Sequence, residues 1–268
     1  MFSNHNIMKR FQNKVAFISG GSKGIGLACA RNLACEGAAV FLAASNHERL
    51  SKAANSIQQQ ANVEVGFHAT DLRTLEGCQA AATACVEQFG GCDILINSAG
   101  ATKGGVFPEQ PDEEMLDGFA LKFHAAVRLS RLLWPQLLKT KGCVVNIVGG
   151  FARTPAKDFM VGGAVNAALA NFSKALADQG LADDVNVNWI HPGLTETERL
   201  EGIFEARAQQ QNKSVDQIRA GSVKTEGLRR LGQPEDVSEL VAFLCSSAAR
   251  HIHGTGIAVD GGGSKGYY

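Results

Sequence analysis

The sequence predicts a doubly wound α/β domain, a parallel sheet covered by helices on both faces, over all 268 residues. Short apolar runs alternate with longer segments of helical periodicity along the chain. These runs are apolar at every position rather than at every second one, as strands buried on both faces must be. A glycine-rich turn also stands between the first run and the first helix, where such folds carry their ligand.

In chain order, Val15-Ala16-Phe17-Ile18 reads as the first strand and residues 25–33 as the first helix. A second strand over 39–43 precedes a polar helix over 48–60, and a third over 63–67 precedes an alanine-rich helix over 75–89. Strands over 93–96, 144–148, 185–190 and 256–259 follow, with helices over 119–132 and 164–177 between them. Residues 200–224 break the rhythm: they are polar, contain Gln209-Gln210-Gln211 and carry Gly221 near their end. A late helical insert of this kind predicts a lid at 197–225; a plain solvated helix pair is the alternative. No repeat, low-complexity tract or linker divides the chain, so a single domain over 1–268 is expected.

Composition narrows the function classes. Lys and Arg together number 26, as do Asp and Glu, so the formal net charge is zero. That balance offers no bulk attraction for nucleic acid or an anionic membrane. Apolar runs such as Cys143-Val144-Val145 are far too short to span a bilayer. Residues 1–13 are polar and lack the apolar stretch of a secretory leader, which leads us to expect a cytoplasmic protein. Cys29, Cys35, Cys78, Cys85, Cys92, Cys143 and Cys245 form no Cys-x-x-Cys pair and have no His at zinc spacing, so reduced thiols and no metal site are expected.

The most informative stretch is Ser19-Gly20-Gly21-Ser22-Lys23-Gly24-Ile25-Gly26. Glycine there permits a tight turn and close approach of backbone to a pyrophosphate. The helix that follows offers unpaired N–H groups and the positive end of its dipole. A Rossmann-type dinucleotide site therefore includes Gly20, Ser22, Lys23, Gly24, Ile25 and Gly26.

The Gly-x-x-x-Gly-x-Gly spacing resembles the fingerprint of the short-chain dehydrogenase/reductase family, and further blocks in the family's order extend the resemblance nearly end to end. Asp71-Leu72 resembles its adenine contact, and Asn97-Ser98-Ala99-Gly100 its element after the fourth strand. Pro192-Gly193, followed by Thr195 and Thr197, resembles the turn that faces the nicotinamide. Leu231-Gly232-Gln233-Pro234-Glu235-Asp236-Val237 and Val259-Asp260-Gly261-Gly262 resemble its closing elements. The resemblance implies a small-molecule substrate, a homodimer or homotetramer, and cofactor contacts from Asp71, Leu72, Asn97, Ala99, Gly100, Pro192, Gly193 and Thr195.

An NAD-preferring member places an acid at the end of the second strand. Here the strand ends Ala43-Ala44-Ser45-Asn46, with no carboxylate before Glu48. Lys23, Ser45 and Asn46 are suited to a 2′-phosphate, as in NADPH-using ketoacyl reductases of the family, and NADP(H) is favoured over NAD(H).

The family's chemistry rests on an Asn, a Ser, a Tyr and a Lys. Alignment on the resemblance puts Lys122 at the Asn position, Gly149 at the Ser, Gly162 at the Tyr and Asn166 at the Lys. The two tyrosines of the chain, Tyr267 and Tyr268, stand at its C-terminus, so the body of the domain has none to offer. Lys and Asn have exchanged places, which makes Lys122 a candidate for ribose contact or proton donation, with Asn166 as its hydrogen-bonding neighbour. The two glycines imply a roomier pocket. Asp158, His191, or a C-terminal tyrosine entering a neighbouring subunit are other proton sources; His124, two positions from Lys122 on a helix, points elsewhere. These residues support three readings. The first is a divergent oxidoreductase acting on a carbonyl/alcohol or C=N/C–N substrate without the usual tyrosine. The second is a catalytically silent dinucleotide sensor or partner subunit, and the third non-redox chemistry on the same scaffold.

Overall fold

The apolar runs pair as strands because each offers side chains to both faces of one sheet. A computed structural model describes residues 9–265. Its strands are β1 (Val15–Ser19), β2 (Ala39–Ala44), β3 (Val65–Ala69), β4 (Ile94–Asn97), β5 (Cys143–Ile147), β6 (Asn186–Pro192) and β7 (Gly256–Val259). They pair in parallel throughout, in the order β3-β2-β1-β4-β5-β6-β7. The helices are α1 (Gly24–Cys35), α2 (His47–Ala61), α3 (Leu75–Phe89), α4 (Asp112–Gly118), α5 (Ala125–Thr140), α6 (Met160–Asp183), α7 (Glu198–Gln211), α8 (Val215–Glu226) and α9 (Pro234–Cys245).

Alternation along each strand divides the core into two layers. Ala16, Ile18, Val40, Leu42, Ile94 and Ile96 pack beneath α1, α2 and α9. Phe17, Phe41, Leu95 and Val144 point the other way, among residues of α3 and α5 such as Ala81, Leu129 and Leu133. The chain leaves β1 towards β2 on one side and reaches β4 on the other, so a crevice opens beyond the carboxyl ends of these two neighbours.

Several elements differ from their sequence expectations. The third strand lies two residues later, Val65–Ala69, because Val65 pairs with Val40 and Ala69 with Ala44. Residues 112–140 form α4, a stretch of π-helix over Phe119–His124 and α5, where a single helix over 119–132 was expected. The late insert is two helices, broken where Asn212 closes α7 in the left-handed region at φ 50°. Its own small core joins Leu200, Phe204, Ala208, Ile218 and Leu231.

All seven cysteines are free, and Cys29, Cys78, Cys85, Cys92 and Cys143 are buried. Burial pushes the Cys29 and Cys85 thiols up to about 12, so neither is a nucleophile at neutral pH. Among the described residues no helix is long and apolar enough to cross a membrane, and no cluster of metal-ligating side chains occurs.

Phe204 is 1% exposed and anchors the insert. Phe204→Ala should cost about 3–5 kcal/mol of packing, more than a core this small can spare. Limited trypsin digestion should then cut the variant within 198–226 first while the sheet core persists. Cleavage spread evenly over the chain would show that the insert is not a separate cooperative unit.

Candidate active site

The crevice is shaped by close backbone approach at the end of β1. Gly20 has φ +70°, and a Cβ there would lie 2.9 Å from the Ala99 backbone. A Cβ at Gly26 would lie 2.3 Å from the Gly20 carbonyl oxygen, so helix α1 seats directly on the turn. The buried Ser19 hydroxyl accepts from the N–H groups of Ser98 and Ala99, each at 3.1 Å, and locks the ends of β1 and β4 together. Helix α1 begins at Gly24, after Lys23, with no side-chain cap and no acid in its first turn. By contrast Asn46 and Thr74 cap α2 and α3. The free N–H groups of α1, with Ser22, Gly24 and Ile25 around them, fit a pyrophosphate. The Thr197 methyl lies 3.4 Å from where a Gly24 Cβ would stand, so the insert begins against this turn.

Beyond β2 two cations converge on one carboxylate. Glu198 Oε2 accepts from Lys23 Nζ and from Arg49 Nη1, each at 3.2 Å. Ser45 and Asn46 are exposed beside them, and Asn46 Oδ1 accepts from the Arg49 N–H at 2.8 Å. Two cations that share one anionic oxygen are a donor set that fits a phosphate group. On the far side Leu72 is buried, while exposed Asp71 accepts from the Arg73 N–H at 3.0 Å.

The deep end centres on Lys122. The π-helical stretch carries its stem over Gly100, where an added Cβ would come 2.9 Å from Lys122 Cδ. Lys122 Nζ donates to the Val148 carbonyl at the end of β5. Desolvation, reinforced by the nearby Arg199 charge, lowers Lys122 from 10.5 to about 7. Arg199 reaches across from α7, its Nη2 donating to the Thr102 carbonyl at 2.8 Å.

Next to Val148, Gly149 has φ +140°, a backbone that no L side chain adopts without strain. Asn166 is 4% exposed; its Nδ2 donates to the Gly162 carbonyl at 2.7 Å, while its Oδ1 has no partner. Lys122 and Asn166 therefore converge on the Val148–Gly149 corner without bonding each other. The expected room at Gly162 is filled: the Phe159 ring lies 2.0 Å from where a Cβ would stand, and it packs on Phe151 with centroids 4.9 Å apart.

Other candidates are committed elsewhere. His191 is 1% exposed, accepts from Trp189 Nε1 at 3.0 Å and faces the Gly149 carbonyl at 3.0 Å through Nδ1. Both ring nitrogens are thus engaged, and desolvation lowers its pKa, so it is a neutral strut. Asn97 is 3% exposed and donates to Asn146 Oδ1 at 2.8 Å beneath the strand ends, its own Oδ1 left without a partner. The Asp158 carboxylate faces Arg207 of the insert at 3.8 Å. Pro192 ends β6, Gly193 packs on the Asp260 backbone at 2.8 Å from a notional Cβ, and buried Thr195 donates to the Gly193 carbonyl at 3.1 Å. Tyr267 and Tyr268 lie outside the described residues.

A family model described as enoyl-(acyl carrier protein) reductase matches residues 20–264. The meso-2,3-butanediol dehydrogenase of Serratia marcescens is 31% identical over 255 residues, covering 94% of this chain and 95% of that protein. The chain belongs to the short-chain dehydrogenase/reductase family. Among solved members, the L-sorbose reductase of Gluconobacter frateurii, complexed with NADPH and L-sorbose, superposes with a TM-score of 0.93 at 32% identity, covering 97% of this chain and 100% of that one. An NADPH-bound short chain oxidoreductase from Pseudomonas aeruginosa PAO1 containing an atypical catalytic center gives 0.86 at 29% identity, covering 95% of this chain and 98% of that one.

Within this family member, three side chains that shape the crevice escaped motif reading. Arg49 carries a weak signal, a basic residue in the first turn of the helix that follows β2. Arg199 and Phe159 carry none: the first lies in the first turn of a helix of the late insert whose docking no local pattern fixes, and the second sits in a loop.

Gly162→Ala should destabilise the protein by about 1–3 kcal/mol through overpacking on Phe159. In a Phe159→Ala background the same change should be neutral or stabilising by up to about 1 kcal/mol, the gain of alanine over glycine in a helix. Equal costs in both backgrounds, measured by urea unfolding, would refute the ring's placement.

Proposed function

We propose that this short-chain dehydrogenase/reductase is an NADP(H)-dependent oxidoreductase for a carbonyl/alcohol or C=N/C–N substrate, with Lys122 as its proton donor. One observation carries the reading: an ammonium held at the deep end of the crevice and lowered to about 7. A general acid works best with a pKa near the operating pH. The body of the chain holds no tyrosine that would serve instead. Bound, the dinucleotide supplies or takes up a hydride.

Gly20, Ser22, Gly24, Ile25 and Gly26 receive the pyrophosphate at the start of α1. Lys23 and Arg49 hold the 2′-phosphate, exchanging the Glu198 carboxylate for it, with Ser45 and Asn46 adding hydrogen bonds. Asp71 and Leu72 border the adenine, while Ala99, Gly100, Pro192, Gly193 and Thr195 border the nicotinamide half. The unpartnered Asn166 Oδ1 is suited to accept from a ribose hydroxyl or from Lys122 once the site is loaded. In the reducing direction the Lys122 ammonium gives its proton to the substrate oxygen or nitrogen as the hydride reaches carbon, and the neutral amine is reprotonated from water. The α7–α8 insert acts as the lid, since Thr197, Glu198 and Arg199 touch the phosphate turn, the two cations and Thr102 respectively. That a structural relative with an atypical catalytic center binds NADPH supports a working site of unusual composition.

Two tests follow. Lys23→Ala and Arg49→Ala should each weaken NADPH binding about tenfold or more, the worth of a charge-assisted hydrogen bond, and leave NADH affinity unchanged. Equal loss for both cofactors would contradict the assignment.

The second test is the pH profile of NADPH-dependent reduction on a panel of ketones, aldehydes and imines. Lys122 faces Arg199 and the neutral His191, with no carboxylate against it among the described residues. It donates only while protonated, so kcat should be flat at acid pH and fall tenfold per unit above about 7. Lys122→Met should lower kcat by about 10²–10⁴-fold and remove this limb. NADPH binding with no turnover on any compound would instead favour the silent sensor.

A further inference from the structure

Lys122 and Arg199 share an electrostatic feature that proton donation does not require. Both cations rest on one short stretch of loop after β4: the Lys122 stem on Gly100, the Arg199 fork on Thr102. Each makes hydrogen bonds to neutral oxygens alone. Lys122 donates to the Val148 carbonyl, and Arg199 Nη2 to the Thr102 carbonyl at 2.8 Å and hydroxyl at 3.4 Å. Among the described residues neither has a carboxylate partner, and Arg199 Nε and Nη1 donate to nothing.

The carboxylates of the surrounding elements are already spent. Glu114 pairs with Lys103 at 2.9 Å, Asp117 with Arg73, and Glu201 with Arg219 at 2.6 Å. Glu198 sits next to Arg199 in the chain, yet turns to Lys23 and Arg49. Two like charges brought together over a half-buried crevice raise each other's energy, and an anion entering between them relieves both. Arg199 is an exposed residue, and with Nη2 on Thr102 its Nε and Nη1 remain as charged donors for a carboxylate. The Phe159 ring packs on Phe151 and meets the loop after β4 at Gly104, so the pair supplies an apolar wall.

We infer that the substrate is an oxo acid or its hydroxy-acid counterpart, its carboxylate seated on Arg199 and its reacting oxygen on Lys122. This rests on the oxidoreductase reading for the reaction and on the two unpaired cations for the substrate class. Arg199 is then the specificity-determining residue, and the insert closes over the substrate by gripping its charge.

The test measures binding separately from turnover. Oxamate, a small carboxylate, and oxamide, its neutral isostere, are titrated calorimetrically into the protein saturated with NADPH. Oxamate should bind and oxamide should not. Arg199→Gln should weaken oxamate about tenfold to a hundredfold. Lys213→Gln, which removes a charge from the same insert but far along it, should leave oxamate affinity unaltered. Equal binding of the two probes, binding of neither, or an Arg199→Gln protein with undiminished oxamate affinity would overturn the inference. Oxamate binding that appears only without NADPH would mean the cations serve the cofactor's phosphates, and would overturn it too. Rapid turnover of neutral ketones with no preference for their carboxylate analogues would sink the substrate class and spare the oxidoreductase. Oxamate binding with no hydride transfer to any compound would do the reverse.

Discussion

The crevice depends on one close junction, the backbone of Gly20 packed against Ala99 above the Ser19 hydroxyl. That contact brings the carboxyl ends of β1 and β4 together, so the uncapped start of α1 and the loop bearing Gly100 and Thr102 face one space. A side chain at Gly20 or Gly26 would push the turn off the strand ends, and everything further along the crevice is measured from there. Placing a helix N-terminus and its free N–H groups in this gap makes it a natural seat for phosphate.

The opposite end is governed by desolvation. A lysine ammonium removed from water beside a second cation loses much of its preference for the charged form. The π-helical stretch and Gly100 create this environment: the wider turn re-aims the side chain, and the missing Cβ lets its stem lie flat on the loop. Gly149 and Phe159 complete the corner, the first by holding a backbone that no serine would accept without strain, the second by filling the space beside Gly162. The corner is tight at both glycines: a Cβ at Gly149 would stand 3.0 Å from Asn166 Oδ1, and one at Gly162 2.0 Å from the Phe159 ring. The insert links the two ends, since Glu198 and Arg199, adjacent in sequence, reach opposite halves of the crevice.

Much of this was legible in the residues. All-apolar runs such as 15–18 and 39–43 marked strands covered on both faces, and the glycines at 20, 24 and 26 located the turn, because periodicity and backbone freedom are local properties. The position of Lys122 was legible from family resemblance, but its surroundings were not. A π-helical stretch leaves no signature in side-chain spacing, and one long helix was the natural expectation for 119–132. The roomier pocket expected from Gly162 failed for a similar reason: Phe159 fills it from a loop, where no period fixes which way a ring points. Arg49 and Arg199 meet partners far away in the chain, Glu198 at a separation of 149 residues and Thr102 at 97. Long-range electrostatics of that kind is settled by topology and closure of the insert, neither of which a short window of sequence contains.

The central claim is that the Lys122 ammonium titrates in the neutral range inside this crevice. Its direct test is a ¹³C NMR titration of the protein labelled at lysine Cε, with the Lys122 signal identified by its absence in Lys122→Met. A midpoint near 7, well below the other lysines, is the predicted result. A Lys122 signal that titrates with the others near the ordinary lysine value of 10.5 would contradict the account.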